Sequence, residues 1–223
     1  MLFIIVHQIY ELWFKEILFE LDSVRALMFE GRIRRARHYL ERVHSIEHVM
    51  VAQLPVLETM SPQDFLEFRT QLAPASGFQS VQFREIEFVS GLKDEAYLER
   101  LSLDDEARAR MERRLAEPSL WDAFCAALEL RDLPMPADDL ERRRETLLAI
   151  ARDRETYGEE FDLSEALLTH DQMIAHWRQR HVLMVERQIG SKSGTGGSTG
   201  APYLRSTLEK RFFPELWDLR SYL

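Results

Sequence analysis

Apolar residues recur every three to four positions along almost the whole chain of 223 residues, and the strict alternation typical of β-strands is essentially absent. A period of this kind places the apolar side chains on one face of each helix. The pattern therefore predicts an all-α protein with a helical, bundle-like arrangement, forming a single domain over residues 1–223. A chain of this length is long enough to bury roughly 70% of the surface that it exposes when unfolded.

Glycine, proline and capping residues divide this pattern into separate helices. The first helix is predicted to run from the start of the chain to Phe29, before Gly31, and the second from there to Pro55. Ser61 and Pro62 have the residue types preferred at the N-cap and N1 positions of a third helix. Further helices are predicted over 78–92, over short stretches of 94–132, near 140–157, from about 164 to 189, and over 203–223 with a break at 214.

Charge and cysteine content exclude several classes of protein. The formal net charge of −9 argues against a nucleic-acid binder, because phosphate contacts require an excess of lysine and arginine. Cys125 is the only cysteine, so no disulfide framework is expected, and the reducing cytoplasm is the predicted compartment.

The apolar residues 1–5 lack the basic segment and cleavage site of a signal peptide. No apolar run approaches the roughly 20 residues that a membrane-spanning helix needs.

Residues 44–48 read HSIEH and match H-x-x-E-H, the inverted zinc-protease pattern. His44 and His48 are four positions apart and could share a helix face as metal ligands. The neighbouring residues are polar, so a surface helix is the favoured interpretation and a zinc peptidase the least favoured function. Glu41 and His44 form one E-x-x-H pair, whereas a di-iron carboxylate bundle needs two.

A glycine-rich stretch follows the last long helix. Residues 180–200, RHVLMVERQIGSKSGTGGSTG, hold five of the nine glycines of the chain. They lack the Lys-Ser/Thr ending of a Walker A motif and the third glycine of G-x-G-x-x-G, so a nucleotide site is not expected. Two interpretations remain open: a plain flexible linker, and a lid at 190–200 whose amides and hydroxyls close over a small anionic substrate.

Two histidines lie on apolar helix faces. His181 precedes Met184 and Val185 at helical spacing, and His7 lies four residues after Phe3. A single histidine in such a place is commonly only part of the core. Two of them on two long helices could instead sandwich a haem, one as the iron ligand and the other on the distal side.

Three longer stretches resemble the tryptophan 2,3-dioxygenase family. They are FIIVHQIYELWFKEIL (3–18), FRTQLAPASGFQSVQFREIEF (68–88) and WRQRHVLMVERQIGSKSGTGGSTGAPYLRST (177–207). They occur in the family's order, and the resemblance extends over nearly the whole chain. It implies a helical, homotetrameric enzyme with haem b, ferrous in the active state. Such an enzyme opens the indole ring of L-tryptophan with O₂ to give N-formyl-L-kynurenine, the first step of the kynurenine pathway.

The resemblance also assigns residues to the cofactor. It places His181 at the axial ligand of the haem iron. It places His7 at the distal histidine beside the indole nitrogen, which makes His7 the expected catalytic residue. Ser76 and Gly77 match the turn that borders haem and substrate.

Further residues are assigned by the resemblance to the substrate. Phe3 matches the aromatic wall that packs against the indole, and Arg69 matches the arginine that clamps the carboxylate. A buried carboxylate needs a charge-assisted and preferably bidentate partner, which arginine supplies. Thr195 matches the loop residue that contacts the amino-acid end of the substrate.

The chain departs from the family in two segments. Family members carry an N-terminal segment that reaches into the pocket of a neighbouring subunit, and this segment is expected to be missing before Met1. The connection 133–140 is shorter than in relatives. The alternatives to the tryptophan-cleaving enzyme are a haem-binding sensor or carrier and a dioxygenase with a broader indoleamine range. A sensor or carrier would need His181 but would have no use for Arg69 and the lid.

Overall fold

The computed structural model describes residues 1–72, 77–195 and 198–223, and within these ranges the chain is helical, with no β-strand. The prediction of an all-α fold is confirmed. None of the helices in these ranges is both long enough and apolar enough to cross a bilayer. The helices are α1 (Leu2–Phe29), α2 (Ile33–Ala52), α3 (Leu54–Glu58), α4 (Pro62–Arg69), α5 (Val81–Val89), α6 (Tyr97–Arg100), α7 (Asp105–Ala116), α8 (Leu120–Glu129), α9 (Leu140–Arg152), α10 (Gly158–Ile189), α11 (Ala201–Ser206) and α12 (Pro214–Leu219), with short 3-10 helices at Thr70–Leu72, Gly77–Gln79 and Arg220–Tyr222.

Helices α1, α2 and α4 begin and end close to the residues predicted for the first three helices, whereas the short α3 was not predicted. α1 ends at Phe29, and Gly31 takes a φ of +70°, a conformation that suits glycine. At the predicted third helix, the Ser61 hydroxyl accepts a hydrogen bond from the backbone N–H of Asp64 and caps α4. The second helix ends slightly earlier than predicted, and Pro55 lies in the first turn of α3, where a missing N–H costs no hydrogen bond.

The start of the longest helix differs from the prediction. α10 begins at Gly158, six residues before the predicted start, while α9 ends at Arg152 instead of near 157. Glu159 and Glu160 occupy the first turn of α10 and pair with Arg131, which lies in the turn just after α8. Acidic side chains at a helix N-terminus interact favourably with its dipole. A tertiary contact of this kind stabilises a start that glycine alone does not indicate.

Three long helices form the centre of the molecule. α2 packs along both α1 and α10, and α1 also packs on α5 and α8. Tyr10 of α1 donates its hydroxyl to the carbonyl of Met50 in α2, with 2.7 Å between the oxygens. Its ring lies 5.9 Å from that of Trp177 in α10. Through these contacts, the inward faces of α1 and α10 are held at a fixed distance from each other.

The C-terminal segment is attached to α10 through one buried carboxylate. Asp171 accepts hydrogen bonds from the backbone N–H groups of Phe212 and Phe213 and from the indole N–H of Trp217. The predicted break at Pro214 is confirmed, because α12 begins there. This attachment holds the end of the chain against the same helix that carries His181.

Candidate active site

One pocket lies between α1, α5 and α10 and beneath the loop that follows α10. Its walls are mostly apolar and aromatic, with a few polar side chains among them. Five of the residues assigned by resemblance line it: Phe3, His7, Gly77, His181 and Thr195. Residues far apart in the chain therefore meet at one site. Ser76, the other residue assigned to the cofactor, lies outside the described residues.

The geometry of His7 defines which of its ring nitrogens is available. Nδ1 lies 2.7 Å from the carbonyl oxygen of Phe3, one turn earlier in α1. A carbonyl only accepts hydrogen bonds, so Nδ1 carries the proton. Burial lowers the pKa of His7, against the opposing effects of the Phe3 carbonyl and the Glu11 charge. The ring is then neutral near pH 7, and Nε2 remains as a hydrogen-bond acceptor.

His181 has different surroundings. Its ring stacks on Trp177, with 5.2 Å between the centroids and 22° between the planes. Among the described residues none hydrogen-bonds to either of its nitrogens. Burial, and to a smaller extent the charge of His7, lowers the pKa of His181 to about 4. A neutral imidazole with an unused lone pair, lining a pocket, is the form in which histidine binds a metal.

An aromatic wall closes one side of the pocket. The Phe3 ring lies 4.0 Å from His7, 5.5 Å from Phe65 and 6.0 Å from Phe68, measured between centroids. Phe65 and Phe68 meet edge to face at 5.5 Å. Rings at these distances and angles provide an apolar surface of the kind that a flat aromatic ligand packs against.

Arg69 lies outside the lining of the pocket, at the end of α4. It donates a hydrogen bond to the backbone carbonyl of Ser193 in the glycine-rich loop. Its guanidinium therefore contacts the loop that carries Thr195. Its assignment as the carboxylate clamp stays a prediction.

The glycine-rich loop covers the pocket through Thr195 and Ser198, which both line it. Gly190 and Gly200 bound this loop with φ angles of +60° and +76°. A side chain at Gly200 would bring its Cβ against the carbonyl oxygen of Lys192, well inside van der Waals contact. Glycine is required there because the chain turns back on itself.

A buried charged cluster, which the sequence did not reveal, adjoins the pocket. Glu87 accepts hydrogen bonds from both Arg84 and Arg178, the latter at 2.7 Å, and all three residues line the pocket. The two guanidinium Nε atoms have no partner among the described residues. Two cations and one anion leave one positive charge beside an apolar cavity. These residues lie in the stretches FREIEF and HWRQRH. No local sequence pattern connects them, because Glu87 and Arg178 are 91 residues apart.

The HSIEH segment does not form a metal site. His44 bonds through Nε2 to the carbonyl of Ala166, and His48 bonds to its own helix, while Glu47 points inward. Burial raises the pKa of the Glu47 carboxyl. The ranges that the structure describes contain no group of three or more histidine, cysteine or acidic side chains that could hold a metal ion. The polar character of this helix is structural.

Comparison with known proteins gives one consistent result. The family model described as tryptophan 2,3-dioxygenase matches residues 1–134 and 142–223. A tryptophan 2,3-dioxygenase of a Nocardioides species is 55% identical over the whole chain and 85% of that protein. Those of Herpetosiphon aurantiacus and Caulobacter vibrioides are 44% and 42% identical, again over the whole chain and over 88% and 89% of their lengths. The unmatched residues 135–141 overlap the connection predicted to be short.

Proposed function

The chain belongs to the tryptophan 2,3-dioxygenase family, and we propose that it cleaves the indole C2–C3 bond of L-tryptophan with O₂. Both oxygen atoms enter the product, N-formyl-L-kynurenine, so no other oxidant is needed. This proposal is supported by two neutral histidines that line one aromatic pocket: His181, which has no hydrogen-bond partner among the described residues, and His7, whose Nε2 can accept a hydrogen bond. We propose that residues 1–223 form one domain around this pocket.

Several residues of the pocket are suited to hold haem b, the cofactor that the resemblance to the family implies. His181 would hold the iron, because its imidazole is neutral and has no hydrogen-bond partner among the described residues. Arg84 and Arg178 carry one positive charge more than Glu87 neutralises, and each has a buried Nε–H without a partner among the described residues, which suits a carboxylate of a porphyrin. Apart from its chain neighbours, no described residue lies within 4 Å of the position that a Cβ would occupy at Gly77, so this residue leaves space at the lining of the pocket. When bound, haem supplies the iron chemistry that makes O₂ reactive towards indole.

His7 and Phe3 would orient the substrate. Nε2 of His7 accepts a hydrogen bond, and the indole ring of tryptophan offers one N–H donor. The rings of Phe3 and Phe65 would pack against the indole faces or edges. Together these contacts fix the plane of the ring, and fixed orientation of reactants contributes to rate by lowering the entropic barrier.

Arg69 and the loop would recognise the amino-acid end. Arg69 already contacts the loop through the Ser193 carbonyl, and a substrate carboxylate would replace that neutral acceptor with a charged one. Thr195 in the same loop lines the pocket. Closure of the loop over tryptophan would exclude water from the reacting atoms.

We also propose that the protein is a homotetramer in the cytoplasm, with a neighbour's N-terminal segment completing each pocket. The resemblance to the family supports the tetramer and the shared pocket. The outer face of α1 also supports assembly into an oligomer, because it exposes apolar side chains. Leu12 is 67% exposed and Phe19 is 66% exposed. A single cysteine is consistent with a reducing compartment. L-tryptophan and O₂ are the expected small-molecule partners, and neither nucleic acid nor a membrane is expected.

The absorption spectrum of the protein, purified with an adequate haem supply, tests the proposed function. We expect a strong Soret band that shifts on addition of L-tryptophan, and formation of N-formyl-L-kynurenine in air. Haem binding without turnover would favour the sensor or carrier. Comparable turnover of other indoleamines would favour the broader dioxygenase. Absence of haem would overturn the proposed function and both alternatives.

A further inference from the structure

A buried chain of three polar side chains joins α2, α10 and α5 at a distance from the pocket. Glu47 Oε1 lies 2.6 Å from His170 Nδ1, and His170 Nε2 lies 2.9 Å from Ser90 Oγ. Ser90 and His170 are completely buried, and Glu47 is 1% exposed. A Ser–His–Glu order also occurs in hydrolases, but a hydrolase needs an accessible hydroxyl. None of these residues lines the pocket or reaches solvent, so hydrolysis is excluded here.

The location of this buried polar chain suggests a different role. The backbone of α10 runs close to that of α2, whereas it approaches α5 at few places, and side chains bridge the two helices. From Ser90 towards the start of α5, these side-chain contacts are Ser90 with His170, Glu87 with Arg178, and Phe83 with Trp177 at 5.1 Å. The second and third of these contacts are made by residues that line the pocket. Trp177 also stacks on His181. The buried polar chain is therefore the far end of a seam between α5 and α10.

Burial of these three polar groups would destabilise the fold if they made no hydrogen bonds. A buried hydroxyl, imidazole and carboxylate stabilise a fold only when their hydrogen bonds are made, and each bond fixes the distance between its two helices. An apolar contact would allow the helices to shift relative to each other. The hydrogen bonds of His170 to Glu47 at 2.6 Å and to Ser90 at 2.9 Å would not. His170 therefore fixes the position of α5 relative to α2 as well as relative to α10.

We propose that Glu47, His170 and Ser90 are positioning residues that set the separation of α5 and α10, and with it the positions of Arg84 and His181, which line the pocket from these two helices. This inference rests on the proposed function, since the group to be held between the helices is haem. It assigns a role to the glutamate of HSIEH that neither a metal site nor the reaction supplies.

Each variant in the test removes or replaces one buried hydrogen-bonding group. Ser90→Ala and Glu47→Ala break the buried polar chain, whereas Glu47→Gln keeps an acceptor at the same place and should restore it. Thr146→Val is the control, because Thr146 also donates a buried hydroxyl hydrogen bond, to the carbonyl of Pro134, away from the pocket. Two measurements are made: the rate of haem transfer to excess apomyoglobin, and hydrogen exchange of α5 amides in the haem-free protein.

We expect Ser90→Ala and Glu47→Ala to lose haem about 5- to 30-fold faster than wild type, the factor that corresponds to loss of one buried hydrogen bond. Glu47→Gln should stay within about threefold. Thr146→Val should not change the rate, even at an equal loss of Tm. Equal acceleration in Thr146→Val, or unchanged rates in both disrupting variants, would overturn the proposal. If Glu47→Ala does not fold, Ser90→Ala decides.

The exchange measurement separates this inference from the proposed function. A wild-type protein that takes up no haem would refute the function, yet the haem-free variants would still report on the helices. Faster exchange along α5 in Ser90→Ala but not in Thr146→Val supports the positioning role. Equal exchange in the two variants contradicts it.

Discussion

His7 and His181 are the same residue type in one pocket, and their neighbours give them different chemistry. The Phe3 carbonyl occupies Nδ1 of His7 and leaves one acceptor nitrogen. His181 has no hydrogen-bond partner among the described residues and stacks on Trp177. Burial lowers the pKa of both rings, so both are neutral near pH 7. Neutral imidazole suits an iron ligand in one case and an acceptor for an indole N–H in the other.

His7 is expected to position the indole ring without acting as an obligatory base. A single neutral hydrogen bond is worth about 0.5–1.5 kcal/mol, roughly a factor of 2 to 13, whereas general-base catalysis is worth about 10²–10⁴. We expect His7→Ala and His7→Ser, with haem content verified, to show the smaller loss of kcat. Both variants should still oxidise 1-methyltryptophan, since the trimmed side chain leaves room. A loss beyond about a thousandfold, with no turnover of the methylated substrate, would identify an obligatory base.

Arg69→Ala is expected to weaken the use of tryptophan while haem binding is preserved. Removal of one partner from a desolvated ion pair costs about 2–5 kcal/mol, or roughly 30-fold to several thousand-fold in kcat/KM. Indole derivatives without a carboxylate serve as the control, and their kcat/KM should hardly change. An equal loss for tryptophan and for these derivatives would show that Arg69 acts only on the loop through Ser193.

At the scale of helices, local signals predicted most boundaries, and long-range contacts account for the rest. Ser61 with Pro62 and the residues around Gly31 carry their own capping chemistry, so α1 and α4 could be predicted. The start of α10 depends on Arg131, which no local pattern connects to Glu160. The same limit applies to the site. The histidines lie on apolar faces that periodicity reveals, while the cluster of Arg84, Glu87 and Arg178 exists only after folding.

The contact between α2 and α10 should make stability depend on pH through His44. Its Nε2 bonds to the Ala166 carbonyl, and burial, followed by the charge of His170, lowers its pKa to about 4. Between pH 6.5 and 4 the unfolded chain binds a proton that the folded chain does not, so stability falls as the pH falls through this window. Each such group contributes at most about 1.4 kcal/mol per pH unit.

His44→Gln should therefore flatten the pH dependence of the free energy of unfolding, measured in urea between pH 7 and 5. His38→Gln is the control, because His38 lies on the exposed side of the same helix, with 70% of its side chain accessible. An unchanged slope in His44→Gln would show that this contact does not carry the effect.

At the scale of the whole molecule, the exposed stripe on α1 predicts assembly. Ile5, Ile9, Leu12 and Phe19 follow one another at helical spacing and are 36–67% exposed. We expect Leu12→Asp and Phe19→Asp to reduce the sedimentation coefficient from that of a tetramer, because each would bury a charge in the interface. Leu140→Asp, at a 52% exposed site elsewhere, is the control. Sedimentation of all three variants like the wild type would place the subunit contact on another surface.

We propose that His181 holds haem and that His7 stays available to the substrate. Haem content by pyridine haemochrome, measured on wild type, His181→Ala and His7→Ala at equal protein concentration, tests this assignment. We expect His181→Ala to lose stable haem, since no second imidazole with both nitrogens unpartnered lies among the described residues that line the pocket, and His7→Ala to keep its full haem content. Full haem retention by His181→Ala, or loss of haem from His7→Ala, would overturn the assignment.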